Sequence, residues 1–186
     1  MLAARWSPRA LDPAGEVTPA QLEAVIEAAR WAPSNGNTQP ARFLIGTRGT
    51  PTFESIFALL STRNQGWAHA AAALILTCAE TENRKGAIPM PEYGVGLAAE
   101  NLVLQAVAEG LVAHQMAGFD KEEARAVFSL PASIRPQVVI AVGKLGDPSL
   151  LDDERRAKEE APRRRLPLSE IAFTGEWGNP AFSADR

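Results

Sequence analysis

Leu22, Val25, Ile26 and Ala29 recur at the i, i+3, i+4 and i+7 positions of "TPAQLEAVIEAARWA", which predicts a helix with one buried face. Thr18 stands at its N-cap, Pro19 suits the first helical position, and Pro33 stops it. "ARFLIGT" then reads as a strand and "TFESIFALLS" as a short helix. "AAALILTCAE" is continuously apolar, the pattern of a strand buried on both faces. "YGVGLAAENLVLQAVAEGL" is the longest helical candidate, apolar nearly all round, with Glu100, Asn101, Gln105 and Glu109 as its main interruptions. Such a helix must be covered all round, either in the centre of one chain or against its copy in a dimer. Gly110 ends it; "LVAHQMAGF" follows as an extended segment, "DKEEARAVFSL" as a helix capped by Asp120, and "QVVIAVGKLG" as another buried strand. The order αβ, αβ, α, β, αβ predicts an α+β sandwich with helices around a central sheet.

Two stretches break this regularity. The last forty or so residues, including "LLDDERRAKEEAPRRRLPLSEIAFTGEWGNPAF", alternate charge blocks with proline and aromatic residues. They hold too few apolar residues for a core of their own, so they must lie against something already folded. In "WAPSNGNTQPARF" five hydrogen-bonding side chains, Ser34, Asn35, Asn37, Thr38 and Gln39, sit between Pro33 and Pro40. A turn between a helix and a strand needs only one or two of them.

Composition narrows the function classes. A chain of 186 residues, 46% hydrophobic and 22% charged, fits one soluble globular domain, residues 1–186. A net charge of -3 gives no general reason to bind nucleic acid or an anionic membrane. The start "MLAARWSPRALDP" lacks the apolar run of a signal sequence, and no stretch has the length of a membrane span, so the expected location is cytoplasmic. Cys78 is the only cysteine and lies in an apolar run, where a buried, inert thiol is expected. With His69 and His114 the only histidines, a His/Cys zinc centre is not expected. Asp152, Asp153 and Glu154 are followed by Arg155 and Arg156 and read as a solvated helix face. "GVGLAA" matches a dinucleotide-binding turn by letter, but the preceding "NRKGAIPMPEY" cannot be the interior strand that turn requires.

The candidate chemistry lies near the two ends. "RWSPR" places Arg5, Ser7 and Arg9 at alternate positions, and "RRRLP" repeats the spacing with Arg163 and Arg165. Alternate residues of extended backbone face one side, so each segment can present paired guanidiniums to a phosphate. Either segment alone also reads as a solvated basic patch.

Over nearly its full length the chain resembles the FMN-dependent nitroreductase family. "RWSPR" is similar to its R-x-S-x-R opening, "APSNGNTQPARF" to its A-P-S-x-x-N-x-Q-P-W-x-F loop, and "LSTRNQGWAHAAAALI" to the stretch in which an asparagine precedes the second strand. "GLAAENLVLQAVAEGLVAHQMAGFD" resembles the long central helix and the segment after it, and "RRRLPLSEI" with "EWG" the C-terminal arm. The resemblance implies a three-layer α/β/α sandwich with a mostly antiparallel central sheet. It also implies a homodimer with FMN at the subunit interface and an arm, residues 162–186, packing on the partner subunit through Trp177. Arg5 and Ser7 would hold the phosphate and ribityl end, with Arg163 and Arg165 closing on the phosphate. Arg9 would approach the N1–C2=O edge of the ring, and Asn64 its pyrimidine side. Pro33, Ser34, Asn35 and Asn37 would reach the flavin of the other subunit, which would account for the surplus polarity of their loop. The backbone of Gln115, Met116, Ala117 and Gly118 would meet N5 and O4.

The implied activity is hydride transfer from NAD(P)H through the flavin to an electron-poor acceptor, a nitroaromatic or quinone, by a ping-pong scheme with no catalytic side chain. An oxygen-using flavin enzyme of the same fold and a flavin-binding sensor or carrier remain as alternatives. Two departures from the family stand out. Ala41 replaces the tryptophan of "QPW", and the insert "ENRKGAIPMPEYG" carries Met90 and Tyr93 as candidate pocket residues.

Overall fold

Thr18 caps the first helix reciprocally: its Oγ1 accepts the Gln21 N–H at 3.2 Å while the Gln21 side chain accepts the Thr18 N–H at 3.1 Å. The computed structural model describes residues 1–183, so the last three residues of the 162–186 arm lie outside the described residues. Along the chain come α1 (Pro19–Arg30), β1 (Ala41–Thr47), α2 (Pro51–Leu59), α3 (Thr62–Ala68), β2 (Ala73–Glu80) and a small hairpin of β3 (Glu82–Asn83) with β4 (Gly86–Ala87). Then follow α4 (Pro91–Ala108), β5 (Val112–Met116), α5 (Lys121–Val127), β6 (Ile134–Gly143) and α6 (Asp153–Glu160).

The main sheet has the order β1-β2-β6-β5, and every neighbouring pair is antiparallel. β2 is buried at every position but Glu80, as its unbroken apolar run predicts. Alternation of side chains sends Leu74, Leu76 and Cys78 to one face, against Phe53, Ile56 and Trp67 from α2 and α3. Ala73 and Ile75 face the other way, onto Val25 and Ala29 of α1 and Ala98, Leu102 and Val103 of α4. Each large side chain buried this way contributes about 1.5–3 kcal/mol. The result is an α+β sandwich with helices on both faces of the sheet, as the order of elements predicts, in the three-layer form that the resemblance implies.

Three details differ from the sequence pattern. α3 forms in "TRNQGWA", which carries no apolar stripe; its first turn is held by the Asn64 and Gln65 N–H groups donating to the Ser61 carbonyl. β6 begins at Ile134, three residues before the predicted strand, and contains Pro136. That proline sits at a bulge, where the register with β2 shifts between Thr77 and Cys78, and β5 pairs only with residues from Val139 onward. α4 starts at Pro91 after Met90, whose φ of 51° is left-handed. α4 buries Val95, Ala98, Leu102 and Ala106 inside its own chain, but leaves Leu97, Leu104 and Val107 half-covered and Tyr93 exposed.

Candidate functional site

The two ends of the chain meet beside β5. His114, buried on that strand, donates from Nδ1 to the Pro8 carbonyl at 3.0 Å; a carbonyl only accepts, so Nδ1 carries the proton. The ring of Trp67 from α3 lies 4.6 Å away, centroid to centroid. Burial pushes the His114 pKa down to about 4, against the raising effect of the Pro8 bond and with a further lowering from Arg9. The imidazole is therefore neutral at pH 7, and it holds the backbone between Ser7 and Arg9.

From the opposite side the same backbone is gripped by Glu159, a carboxylate only 8% exposed. Its Oε1 accepts the N–H groups of Arg9 at 2.9 Å and Ala10 at 3.1 Å, and Oε2 accepts Arg9 again at 3.1 Å. Hydrogen bonds to a charged acceptor are roughly twice as strong as neutral ones. Past this point the Gly146 N–H donates to the Ala10 carbonyl and the Asp12 N–H to the Lys144 carbonyl, which fastens the segment to the exit of β6.

Arg163 follows α6 and donates through its guanidinium to the carbonyls of Ala3 and Arg5. Arg5 donates to Ser7 Oγ at 3.3 Å and lies 4.0 Å from Glu100 of α4. Arg5, Ser7 and Arg163 are thus brought together, whereas Arg165, exposed like Arg163, donates among the described residues only to the neighbouring Arg164 carbonyl. Arg9 also borders a polar cavity of about 470 Å³ with Arg63, Arg155 and Lys158. There Arg155 pairs with Asp152 and Lys158 with Glu154, while Arg9 and Arg63 have no carboxylate partner among the described residues.

Asn64, next to Arg63, donates from Nδ2 to the Gly118 carbonyl at 2.9 Å, and the Ser61 N–H reaches the same oxygen at 3.0 Å. A Cβ at position 118 would come to 3.0 Å from both Asn64 Nδ2 and Ser61 Oγ, so a larger residue there would push these side chains aside. Gln115, Ala117 and Gly118 are exposed and Met116 is buried. Asn64 and the Gln115–Gly118 segment therefore adjoin the cluster that holds Arg9.

The loop of Pro33, Ser34, Asn35 and Asn37 stands apart. Its neighbours are Pro40, Met90, Tyr93 and Gly94. Gly94 is six residues from Glu100 along α4, about 9 Å of helix. Ser34 Oγ accepts the Gln39 N–H at 2.9 Å, but the side chains of Asn35 and Asn37 make no hydrogen bond among the described residues. Of the five polar side chains noted in the sequence, Ser34 and Gln39 bond within the loop, and Asn35, Asn37 and Thr38 have no side-chain partner among the described residues.

The other sequence candidates resolve simply. Cys78 is buried, and burial pushes its thiol up to about 11. Asp152 caps α6 by accepting the Arg155 N–H at 2.8 Å. "GVGLAA" lies within α4 and forms no turn. Trp177 is 91% exposed, its ring 4.9 Å from that of Phe173. Sequence reasoning missed Glu159 and His114. Nothing in "DDERRAKEEAP" marks Glu159 among its charged neighbours, and for His114 the only signal was a histidine inside an apolar strand.

The sequence model of the Nitroreductase family matches residues 2–51 and 54–144. An uncharacterised 15.4 kDa protein of Mycolicibacterium smegmatis is 41% identical over 147 residues, covering 75% of this chain and 99% of that protein. A crystal structure described as an oxidoreductase containing FMN superposes with a TM-score of 0.88 at 30% identity, over 94% of this chain and 90% of the other. A protein of Desulfovibrio desulfuricans crystallised in complex with FMN gives 0.72 at 24% identity, over 95% of each chain. At that identity the last likeness concerns the fold alone. The family match ends at Lys144, so Glu159 and Arg163 lie beyond it. On the family match, the curated relative and the shared fold together, this chain belongs to the nitroreductase family.

Proposed function

We propose that the protein is an FMN-dependent, cytoplasmic oxidoreductase that passes hydride from NAD(P)H to an electron-poor acceptor, a nitroaromatic or quinone, by a ping-pong scheme. The observation that supports this reading is that Arg163, from the far end of the chain, donates to the Ala3 and Arg5 carbonyls and Arg5 to Ser7, while Arg9 borders the same cavity as Arg63, the chain neighbour of Asn64. That donor set fits a phosphorylated flavin. Guanidiniums match a dianionic phosphate, Ser7 matches a ribityl hydroxyl, and Asn64 Oδ1 accepts no hydrogen bond among the described residues while Nδ2 is bonded to Gly118.

When bound, FMN would supply a two-electron carrier that takes hydride at N5. Arg5 and Arg163, with Arg165, would neutralise the phosphate. Arg9 would place a fixed positive charge at the N1–C2=O edge; a guanidinium does not deprotonate in a protein, so it stabilises charge without moving a proton. The exposed Gln115–Gly118 backbone would orient the N5 edge. Neutral His114 and Glu159 hold the Arg9 backbone in place.

The functional unit in this reading is a homodimer of single-domain subunits with the 162–186 arm on the partner. Three features support it: the half-covered Leu97, Leu104 and Val107 on α4, the exposed Trp177, and the unbonded Asn35 and Asn37 side chains. The test is anaerobic titration of purified protein. Yellow protein that NADH or NADPH bleaches, and that a quinone re-oxidises, supports the reading; colourless protein after expression with ample riboflavin overturns it.

A further inference from the structure

The arm after α6 leaves its apolar side chains outside the core of its own chain. Leu166, Leu168, Ile171, Trp177 and Phe182 are each exposed by half or more, Trp177 the most at 91%. Around Trp177 the arm is nonetheless a built turn. The Thr174 N–H donates to the Asn179 carbonyl and the Ala181 N–H to the Ala172 carbonyl, each at 2.9 Å, and Asn179 Nδ2 donates to the Thr174 carbonyl at 3.0 Å. Gly175 and Gly178, at φ of 74° and 88°, allow the reversal. A turn ordered this far loses little further entropy when another surface covers its largest ring.

An apolar cavity of about 210 Å³ lies between the 33–40 loop, α1 and the first turns of α4. Ile26, Ala29, Phe43 and Ala98 line it, with Ala41 in its wall. Ile26, Ala41 and Phe43 are only half-buried, and β1, which supplies two of them, is an edge strand of the sheet. The cavity is therefore reached from outside the chain. A cavity of about 150 Å³ takes benzene, which leaves this one room for the second ring of an indole. Gln39 borders it, and its Oε1 accepts no hydrogen bond among the described residues, so an acceptor for an indole N–H is at hand. The charged residues at its border are Arg30 and Arg42, whereas the neighbour of Trp177 in the turn is Glu176.

We propose that the partner subunit's Trp177 fills this cavity in a dimer of the chain, with the adjacent carboxylate beside Arg30 and Arg42. In its own chain the indole stands in solvent against Phe173 alone, 4.9 Å away, so the ring that fills the cavity comes from a second copy. The contact rests on the homodimer of the proposed function and adds the seat of the arm. It also gives the arm a task. The cavity is walled by Ser34 and Pro40 of the loop that, in that reading, reaches a flavin of the other subunit. One copy would then supply both the arginines that hold the phosphate of its flavin and the ring that backs the loop brought to that flavin.

Fluorine NMR of the full-length protein labelled with fluorotryptophan reads the contact directly, with Trp177→Phe identifying the Trp177 signal. In the wild type that signal is expected to shift little between light and heavy water, as a buried ring does. Ala41→Phe, which fills the cavity from within, should return it to the behaviour of a solvated ring. If Ala41→Phe melts early, Ala41→Leu carries the same test. Sedimentation across a dilution series reads the energetic side. Trp177→Ala and Ala41→Phe should each raise the dimer dissociation constant at least about thirtyfold, as for an aromatic hot spot, and the double variant should be no weaker than either single. A Trp177 signal that is solvated in the wild type, or that Ala41→Phe leaves buried, overturns the proposal, as do single effects that add in the double variant. Colour separates this inference from the flavin reading. Colourless protein with a buried Trp177 keeps the contact and loses the flavin; yellow, NAD(P)H-bleached protein whose Trp177 stays in water keeps the flavin and loses the contact.

Discussion

The segment around Arg9 and the loop around Asn35 both read in sequence as polar, ligand-facing backbone, yet the fold treats them in opposite ways. Arg9 is pinned from two sides, by the Glu159 carboxylate and by His114 through Pro8, both buried. The loop has two internal side-chain bonds, the Gln39 N–H to Ser34 Oγ and Gln39 Nε2 to the Asn37 carbonyl, three residues at positive φ including Gly36, and Asn35 and Asn37 side chains with no partner among the described residues. A phosphate-binding segment must hold like charges together before the ligand arrives, and mutual repulsion would scatter guanidiniums on a free strand. Amide groups carry no such penalty and can wait unbonded in water. In the proposed flavin reading, the rigid half of the site would be complete within one chain, and the loop would serve a flavin carried by the partner.

The comparison breaks most readily at Glu159. Glu159→Ala leaves the N–H groups of Arg9 and Ala10 without their acceptor, at about 1–3 kcal/mol for each buried donor. The expected loss is roughly 4 kcal/mol of unfolding free energy, read from urea denaturation. FMN affinity should fall with it, and trypsin should cut faster at Arg163 to Arg165 as the arm loosens. If the variant unfolds at the wild-type urea concentration, the clamp contributes nothing and the contrast between the two regions disappears.

His114 gives the next largest effect, and its sign is fixed by burial. Its folded pKa is about 4 and the unfolded value about 6.5, so between those values the unfolded chain binds more protons and stability falls as pH falls. The contribution is fully present above about pH 6.5 and is lost as the pH drops to about 4, on the order of 3 kcal/mol over that window. The shifted carboxylates Glu27, Asp147, Asp152 and Glu154 are all lowered, so their own losses come at more acid pH. His114→Gln should flatten the dependence of melting temperature on pH in this window. A slope unchanged by the substitution would assign it to other groups.

How much of this was legible in the sequence follows the same division. α1 announces itself by apolar periodicity, and β2 and α4 by unbroken apolar runs, because their stability comes from the surface they bury. α3 does not: its seven residues form a helix because Ser61 and Gly118 hold its first turn, which is tertiary information. Pro136 hid the start of β6, since proline argues against a strand, and only the bulge opposite Thr77 and Cys78 makes room for it. The arginines and amides that would touch a flavin showed as local patterns at alternate positions or between prolines. Glu159 and His114, which hold those patterns in place, touch residues more than a hundred positions away and carry no local signature.

The smallest effect sharpens the comparison from the loop side. Asn35 is exposed, and its side chain makes no hydrogen bond among the described residues, so Asn35→Ala should shift unfolding free energy by no more than about 0.5 kcal/mol. If the amide is there to reach a flavin carried by the neighbouring subunit, the same substitution should still weaken FMN binding, by roughly the tenfold or less expected of one polar contact. Glu159 would then affect stability and affinity together, and Asn35 affinity alone. Fluorescence titration of the FMN-free protein, read beside its urea midpoint, measures both quantities on one sample. An Asn35→Ala variant that loses stability while keeping FMN would mean that the loop is a structural turn after all, with its polarity directed inward.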